Sequence, residues 1–247
     1  MARRRFFVPA VQAGRAELEG EPAEHLRRVL RAEQGQQFEI SDNESVYLAE
    51  IDGLGKGKVT FRVLEPIAVE VPPVRLTLLA ALVKFDRFEW IVEKATELGV
   101  ESIVPVEAER TEKALERAAG KRIDRWRRIV IESSQQARRA HLPEVVEPVT
   151  FGVALGTGGD YRYFLGEQKG AAPILSSLPQ AARRPSDTVC LLVGPEGGWT
   201  EGERTAALDA GWQPVSLGPQ VLRAETAAVA ALAVLGNAWY AGAVGEL

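Results

Sequence analysis

The hydrophobic period of this chain changes once, at the proline-bounded stretch Pro66 to Pro73, and that change limits the folds open to it. Before it, apolar and polar residues alternate in three short runs: Gln37-Phe-Glu-Ile-Ser41, Ser45-Val-Tyr-Leu-Ala-Glu-Ile51 and Lys58-Val-Thr-Phe-Arg-Val-Leu64. A period of two belongs to strands with one face buried. Asp42-Asn43-Glu44 and Gly53-Leu-Gly-Lys-Gly-Lys58 read as turns between them. One short helix is expected from Pro22 to Arg31, with its proline in the first turn. Closely spaced strands with one small helix predict a compact β-barrel over residues 1–72. Pro66 to Pro73, with Pro72-Pro73 in extended conformation, is the expected linker.

Residues 73–247 follow a different grammar. Leu76 to Val83 and Ser102 to Val106 predict strands on either side of a helix from Phe85 to Leu98, which Gly99 closes. A long helix is expected from Arg117 to Arg139, with Ile123, Trp126, Val130 and Ala137 on one face. Tyr161 to Leu165 and Thr188 to Val193 are further strands. The latter is apolar at nearly every position, as in a parallel strand covered on both faces. The last helix, Glu225 to Tyr240, is almost wholly Ala, Val and Leu and has to be buried or to lie at a subunit interface. The order predicts an α/β domain with a parallel sheet.

Composition excludes more than it assigns. Cys190 is the only cysteine, so no disulfide framework exists and a reducing cytoplasm fits. His25 and His141 lack neighbours at ligand spacing, and no metal site is expected. Net charge is −4, yet ten Lys or Arg lie between Arg110 and Arg139 against Glu112, Glu116, Asp124 and Glu132. That run is either a solvated helix face or a phosphate-facing patch; composition leaves both open. G-x-G-x-x-G, the P-loop and G-x-S-x-G are all missing, which argues against dinucleotide, P-loop and α/β-hydrolase chemistry.

Two strand-to-helix turns carry the candidate chemistry. The first is Val193-Gly-Pro-Glu-Gly-Gly198, after which Thr200 and Glu203 have capping-box spacing. The second is Leu217-Gly-Pro-Gln-Val-Leu-Arg223, leading into Glu225 at a helix start, where the dipole favours an acid. Glycine turns at the carboxyl edge of a parallel sheet admit a small ligand close to the backbone.

Leu191-Leu-Val-Gly-Pro-Glu-Gly-Gly198 followed by Leu217-Gly-Pro-Gln-Val-Leu-Arg-Ala-Glu-Thr-Ala227 resembles the paired signature of the RsmE family of SPOUT methyltransferases. Glu93-Lys-Ala-Thr-Glu-Leu-Gly-Val100, Gln136-Ala-Arg-Arg-Ala-His-Leu-Pro-Glu144, Arg5-Phe-Phe-Val-Pro9 and His25-Leu-Arg-Arg-Val-Leu-Arg31 extend the likeness over most of the chain. Gln135 stands where the family has Glu, and Arg138 replaces a small residue.

The resemblance implies methylation of uridine N3 in 16S ribosomal RNA with S-adenosyl-L-methionine (SAM). It also implies a PUA-like β-barrel (1–72), a knotted SPOUT domain (73–247) and a homodimer in the cytoplasm, acting on free RNA or an assembled small subunit. The implied cofactor-binding positions are Gly166, Glu167, Val193, Gly194, Pro195, Glu196, Gly197, Leu217, Gly218, Val221, Leu222, Arg223, Glu225, Thr226 and Ala227. Arg223 and Arg139 are candidates to stabilise the uridine anion, and Glu196 to accept a proton. Arg223 paired with Glu225, and Glu196 bound to backbone amides, are the structural alternatives. Arg3, Arg4, Arg5, His25, Arg28, Arg31 and Arg139 form the expected RNA-binding set. Two rival functions remain at this level: a related enzyme acting on tRNA or a ribose 2′-hydroxyl, and a non-catalytic RNA-binding assembly protein.

Overall fold

Strand alternation in the first seventy residues produces six strands: β1 (Arg5–Phe7), β2 (Val11–Gln12), β3 (Arg15–Glu19), β4 (Gln37–Ser41), β5 (Val46–Gly55) and β6 (Lys58–Ile67). Here the structure is a computed structural model that describes residues 4–166, 171–179 and 183–244. The strands pair in the order β1-β4-β5-β6-β3-β2, so the expected barrel is observed as a six-stranded sheet running from β1 to β2. β1 and β4 are parallel and the other pairs antiparallel. Phe6, Leu18, Phe38, Ile40, Ile51, Val59 and Phe61 point to one core, closed by Ala23 and Leu26.

Two expectations here need correction. The proline linker was expected from Pro66, but β6 continues to Ile67 and pairs Pro66 with Tyr47. β3 leaves β6 at Arg62, so beyond that point a proline on the open side removes no ladder bond. The single helix from Pro22 to Arg31 is instead α1 (Glu21–Glu24) followed by a π-turn over His25–Val29. Leu30 N–H donates to His25 O at 3.1 Å, five residues back, and Arg31 turns to φ +51°.

The chain forms two compact units, and their division is not a single cut. One unit runs to Glu70 and includes Ile131–Leu142; the other holds Val71–Val130 and the chain from Pro143. A boundary at residue 72 alone therefore does not describe it. The returning segment is held on β4 and the turn after it. Buried Glu39 accepts from Arg5 at 2.9 and 3.1 Å and from Arg138 at 2.5 Å, while Arg5 donates to Arg138 O at 2.6 Å. Ser41 Oγ donates to Ala140 O at 2.7 Å, and Leu142 N–H to Asn43 Oδ1 at 2.6 Å. β1, β4 and the turn after β4 thus take partners more than ninety residues away in sequence.

The second unit is built on β7 (Arg75–Ala81), α2 (Phe85–Glu97), β8 (Ser102–Glu107), α3 (Lys113–Ala119) and α4 (Ile123–Gln136), the last of which runs into the returning segment. β9 (Glu144–Val145), β10 (Val149–Thr150), α5 (Phe151–Leu155), β11 (Tyr161–Leu165), β12 (Ala172–Pro173) and β13 (Thr188–Val193) follow. α6 (Glu201–Asp209), β14 (Gln213–Ser216) and α7 (Ala224–Val244) complete it. The helix expected from Arg117 to Arg139 is two helices, interrupted by a 3₁₀ turn at Gly120–Arg122 and ended before Arg138 turns to φ +54°. All described strand pairs are parallel, in the order β10-β8-β7-β13-β11-β14-β12, with β9 beside β8.

β13 is the central strand, and Val189 to Val193 are all buried. Cys190 and Leu192 join Leu79, Val106, Trp199 and Trp212 in one cluster. By period two, Val189, Leu191 and Val193 face the other side, where α7 packs against β7, β13 and α2. α7 buries Ala228, Ala231, Leu232, Leu235 and Trp239, and Trp239 Nε1 donates to Asp187 Oδ2 at 2.9 Å. No helix among the described residues is long and apolar enough to cross a membrane.

α6 begins with the expected capping box: Thr200 Oγ1 accepts from Glu203 N–H and Glu203 Oε2 from Thr200 N–H. Glu203 is buried, and its other oxygen accepts from Glu109 N–H at 2.8 Å. Glu203→Ala strands both amides, so urea unfolding of this variant is expected to show a loss of about 2–4 kcal/mol. Glu203→Gln keeps acceptor capacity and loses less.

Candidate functional site

Three adjacent parallel strands end within one residue of the same level. Leu165 of β11 lies opposite Val193 of β13 on one side and Val215 of β14 on the other. Beyond those residues the chain has to turn, and the turns share the carboxyl edge of the sheet. The connections also diverge there. β7 leads through α2 to β8, whereas β13, paired with β7, leads through α6 to β14 on the far side of β11. Such a topological switch point opens a crevice. A cavity of about 860 Å³ lies there, within the size range of small-molecule sites.

The first wall is the turn from Val193 to Trp199. Trp199 folds beneath it, buried, stacked on Phe164 at 5.0 Å, and donating from Nε1 to Leu165 O at 3.0 Å. A Cβ on Gly194 would lie 2.9 Å from the indole. Only glycine lets the backbone pass over the ring. Arg110 donates to Gly197 O at 2.6 Å and holds the outer part of this turn.

The second wall is the turn from Ser216 to Arg223. Gly218 has φ +126°, a conformation that side chains make costly, and the chain then enters α7 at Ala224. Leu165, Gly166, Ala171 and Pro173 close a third side. Backbone and apolar groups dominate all three. An uncharged heterocycle suits such a lining; a polyphosphate, which wants cations and aimed N–H groups, does not.

Charge is confined to a few groups. Arg87, in the first turn of α2, lines the cavity and forms an ion pair with Glu196 of the first turn. Its Nε lies 4.0 Å from Glu225 Oε1 in the first turn of α7. Arg223 is exposed, lines the cavity and makes no ion pair among the described residues. Glu225 is thus directed to Arg87, not to Arg223. Arg204 lines the rim and pairs with Glu201.

The structure brings Gly166, Val193, Gly194, Pro195, Glu196, Gly197, Leu217, Gly218, Val221, Leu222, Arg223 and Ala227 around the cavity. Glu225 and Thr226 are not on its lining; Thr226 is exposed on α7. Glu167 and Arg3 lie outside the described residues. Arg139 belongs to the first unit, where its Nε donates to His141 O at 3.2 Å. In that unit Arg4, His25, Arg28 and Arg31 are exposed. Arg28 also contacts Glu24, whose carboxyl is held below its usual range by hydrogen bonds from Arg27 and from Gly57 N–H. Arg5 differs from the expectation of an RNA-gripping side chain: it is buried against Glu39, and its guanidinium is used inside the unit.

Arg87, Trp199 and Arg204 were not legible as site residues. Arg87 sits in no glycine turn; the available signal was its place in a helix start directly after a buried parallel strand.

A two-unit protein with this sheet edge belongs to a defined class. Residues 70–236 match the RNA methyltransferase domain family, and residues 18–64 match the RNA methyltransferase PUA domain. The ribosomal RNA small subunit methyltransferase E of Synechocystis is 38% identical over 213 residues, covering 85% of this chain and 68% of the relative. The chain belongs to the ribosomal RNA small subunit methyltransferase E family. Among solved structures, the Neisseria gonorrhoeae methyltransferase E bound to S-adenosyl methionine aligns with TM-score 0.85 and 30% identity, over 96% of this chain and 98% of that one. A Legionella pneumophila methyltransferase in complex with SAM aligns with TM-score 0.86 and 31% identity, over 96% and 98%.

Gly194→Ala tests the wall directly. The indole is buried and held by its hydrogen bond to Leu165 O, so overpacking is expected to cost about 1–3 kcal/mol in urea unfolding. The near-ultraviolet circular dichroism of Trp199 should change with it. An unaltered spectrum and stability would disprove the close approach.

Proposed function

We propose that this protein transfers a methyl group from SAM to N3 of a uridine in the RNA of the small ribosomal subunit. The observation that carries the reading is the cavity at the carboxyl edge of β11, β13 and β14, where their turns converge. Its residues fit SAM: the closely approached backbone at Gly194 and the apolar walls suit adenosine, and the cavity is large enough for it. When bound, SAM supplies a methyl group activated by a sulfonium.

The remaining chemistry concerns the uracil. N3 carries a proton at neutral pH, and only the deprotonated base is a good nucleophile. A cation near the imide favours the anion and stabilises it as the proton leaves to water. Arg223 suits that role because it is on the lining and has no carboxylate partner among the described residues. Glu196 is taken up by Arg87, which supports a structural use over proton acceptance. We read Arg139 as an RNA contact of the first unit, together with Arg4, His25, Arg28 and Arg31. Across the 3₁₀ turn and α4, Arg122 and Arg125 are compensated by Glu89, but exposed Lys121 and Arg128 have no ion-pair partner among the described residues and suit phosphates. Extrusion of the base into the cavity follows from the geometry such a transfer needs.

The reading includes the threaded C-terminal segment of the family. Support comes from the path of the chain, which leaves β14 beyond β11 and returns as α7 to β7, β13 and α2. It also includes a homodimer in the cytoplasm, with Tyr240 of α7 exposed as a candidate contact.

The test is nucleoside mass spectrometry of small-subunit RNA and of assembled small subunits after incubation with the protein and SAM. N3-methyluridine is expected. Methylation of a ribose, of tRNA alone, or of nothing overturns the proposal. Arg223→Ala should lower kcat by about 100-fold, as for loss of one oxyanion donor, with SAM affinity within a few-fold of wild type.

A further inference from the structure

The two glycine turns that wall the cavity come from strands on either side of β11. Among the described residues, no direct ion pair or side-chain hydrogen bond joins residues 194–200 to residues 217–227. One side chain reaches both regions. We propose that Arg87 is a positioning residue for the cofactor, setting the width of the slot by holding Glu196 on one side and Glu225 on the other. The proposal rests on reading the cavity as the SAM site.

Arg87 is placed for this by topology. β7 pairs with β13, Ala80 opposite Val193, so the start of α2 and the first glycine turn leave the sheet side by side. The first turn of α2 is anchored by Arg87 N–H donating to Lys84 O at 3.0 Å. From there the guanidinium meets Glu196 through one terminal nitrogen and presents Nε to Glu225. A planar fork with five donors is able to serve two carboxylates, whereas a single ammonium on a flexible stem is a poorer bridge.

The two arms are unequal. The Glu196 arm is a direct contact at the rim, where the Glu196 side chain is 39% exposed. The Glu225 arm is slack at 4.0 Å, although the Glu225 side chain is only 14% exposed. Glu225 Oε2 is buried and has no hydrogen-bond partner. A buried carboxylate short of a donor is costly, so Glu225 gains from a guanidinium drawn closer than the 4.0 Å at which Arg87 Nε faces its other oxygen, Oε1. Closure of the slot around a ligand would tighten that slack arm. Arg87 then acts through the two turns.

The competing role is direct contact between Arg87 and the ligand, and a mutant cycle separates them. Full-length wild type, Arg87→Gln, Arg87→Lys, the Glu196→Gln/Glu225→Gln pair and the triple variant are titrated with SAM by calorimetry and assayed for KM and kcat. Arg87→Gln should weaken SAM binding about 10- to 100-fold and raise its KM in parallel, with kcat at saturation changed less than about threefold. Arg87→Lys should recover part of the loss. Adding Arg87→Gln to the Glu196→Gln/Glu225→Gln pair should change affinity by less than about threefold, because the clamp is already open. Unchanged affinity in Arg87→Gln overturns the proposal, as does a loss that persists undiminished in that background. If Arg87→Gln fails to unfold cooperatively, Glu196→Gln alone decides: weaker SAM binding supports the clamp and unchanged binding refutes it. A wild type that does not bind SAM defeats the cofactor reading itself, a result distinct from a wild type that binds and variants that bind equally.

Discussion

The second unit depends on where three strands end: β11 and β13 stop opposite each other at Leu165 and Val193, and β14 runs one residue past Val215 to Ser216. In an all-parallel sheet every strand delivers its last residue to the same edge, and every connection has to leave from there. When neighbouring strands stop in register, their turns compete for one space. Small residues resolve the competition. Gly194 lets the backbone cross the Trp199 indole, and Gly218 adopts a φ that other residues resist. The recess that remains is lined by backbone and apolar groups because the elements beneath it are core. Trp199 joins the same buried cluster as Leu192 and Phe164. The site is the place where core packing stops.

That origin explains what was legible in the residues. The grammar change near Pro66, the apolar Thr188–Val193 strand, the Thr200–Glu203 cap and the two glycine turns are local signals, and they place the second unit's central elements within a residue or two. Everything that depended on distant pairing was silent. β9, β10 and β12 are two residues each and exist only because a parallel neighbour is there. Arg87 looked like one cation among many in a helix start; only the pairing of β7 with β13 sets it beside Glu196. The Arg117–Arg139 periodicity likewise hid the 3₁₀ break at Gly120–Arg122, since the apolar face of α4 begins only at Ile123.

The first unit shows the same limit in its charges. Arg5, read as a surface cation, is buried with Glu39, and Arg138 joins them from a segment far along the chain. A carboxylate that takes hydrogen bonds from two guanidiniums satisfies its lone pairs without water, and desolvation then no longer opposes burial. Arg138 departs from the family's small residue, and its place here is explained: it extends the Glu39 pair and supplies the carbonyl that Arg5 binds. The loop carrying Arg139 is thereby part of the β4 unit.

A protein of net charge −4 that acts on RNA is not a contradiction, because phosphates respond to local arrangement. Many of the ten cations between Arg110 and Arg139 are used internally. Arg110 holds Gly197 O, Lys113 pairs with Glu116, and Arg122 and Arg125 share Glu89. Arg127 lies near Asp124 and Glu147. Counting the run therefore overstates the field it projects. Within that run Lys121 and Arg128 are exposed with no ion-pair partner among the described residues, as Arg223 is beside the cavity. A cation already held by a carboxylate has to break that pair to meet a phosphate or a uracil anion, whereas an unpaired one gives up only water.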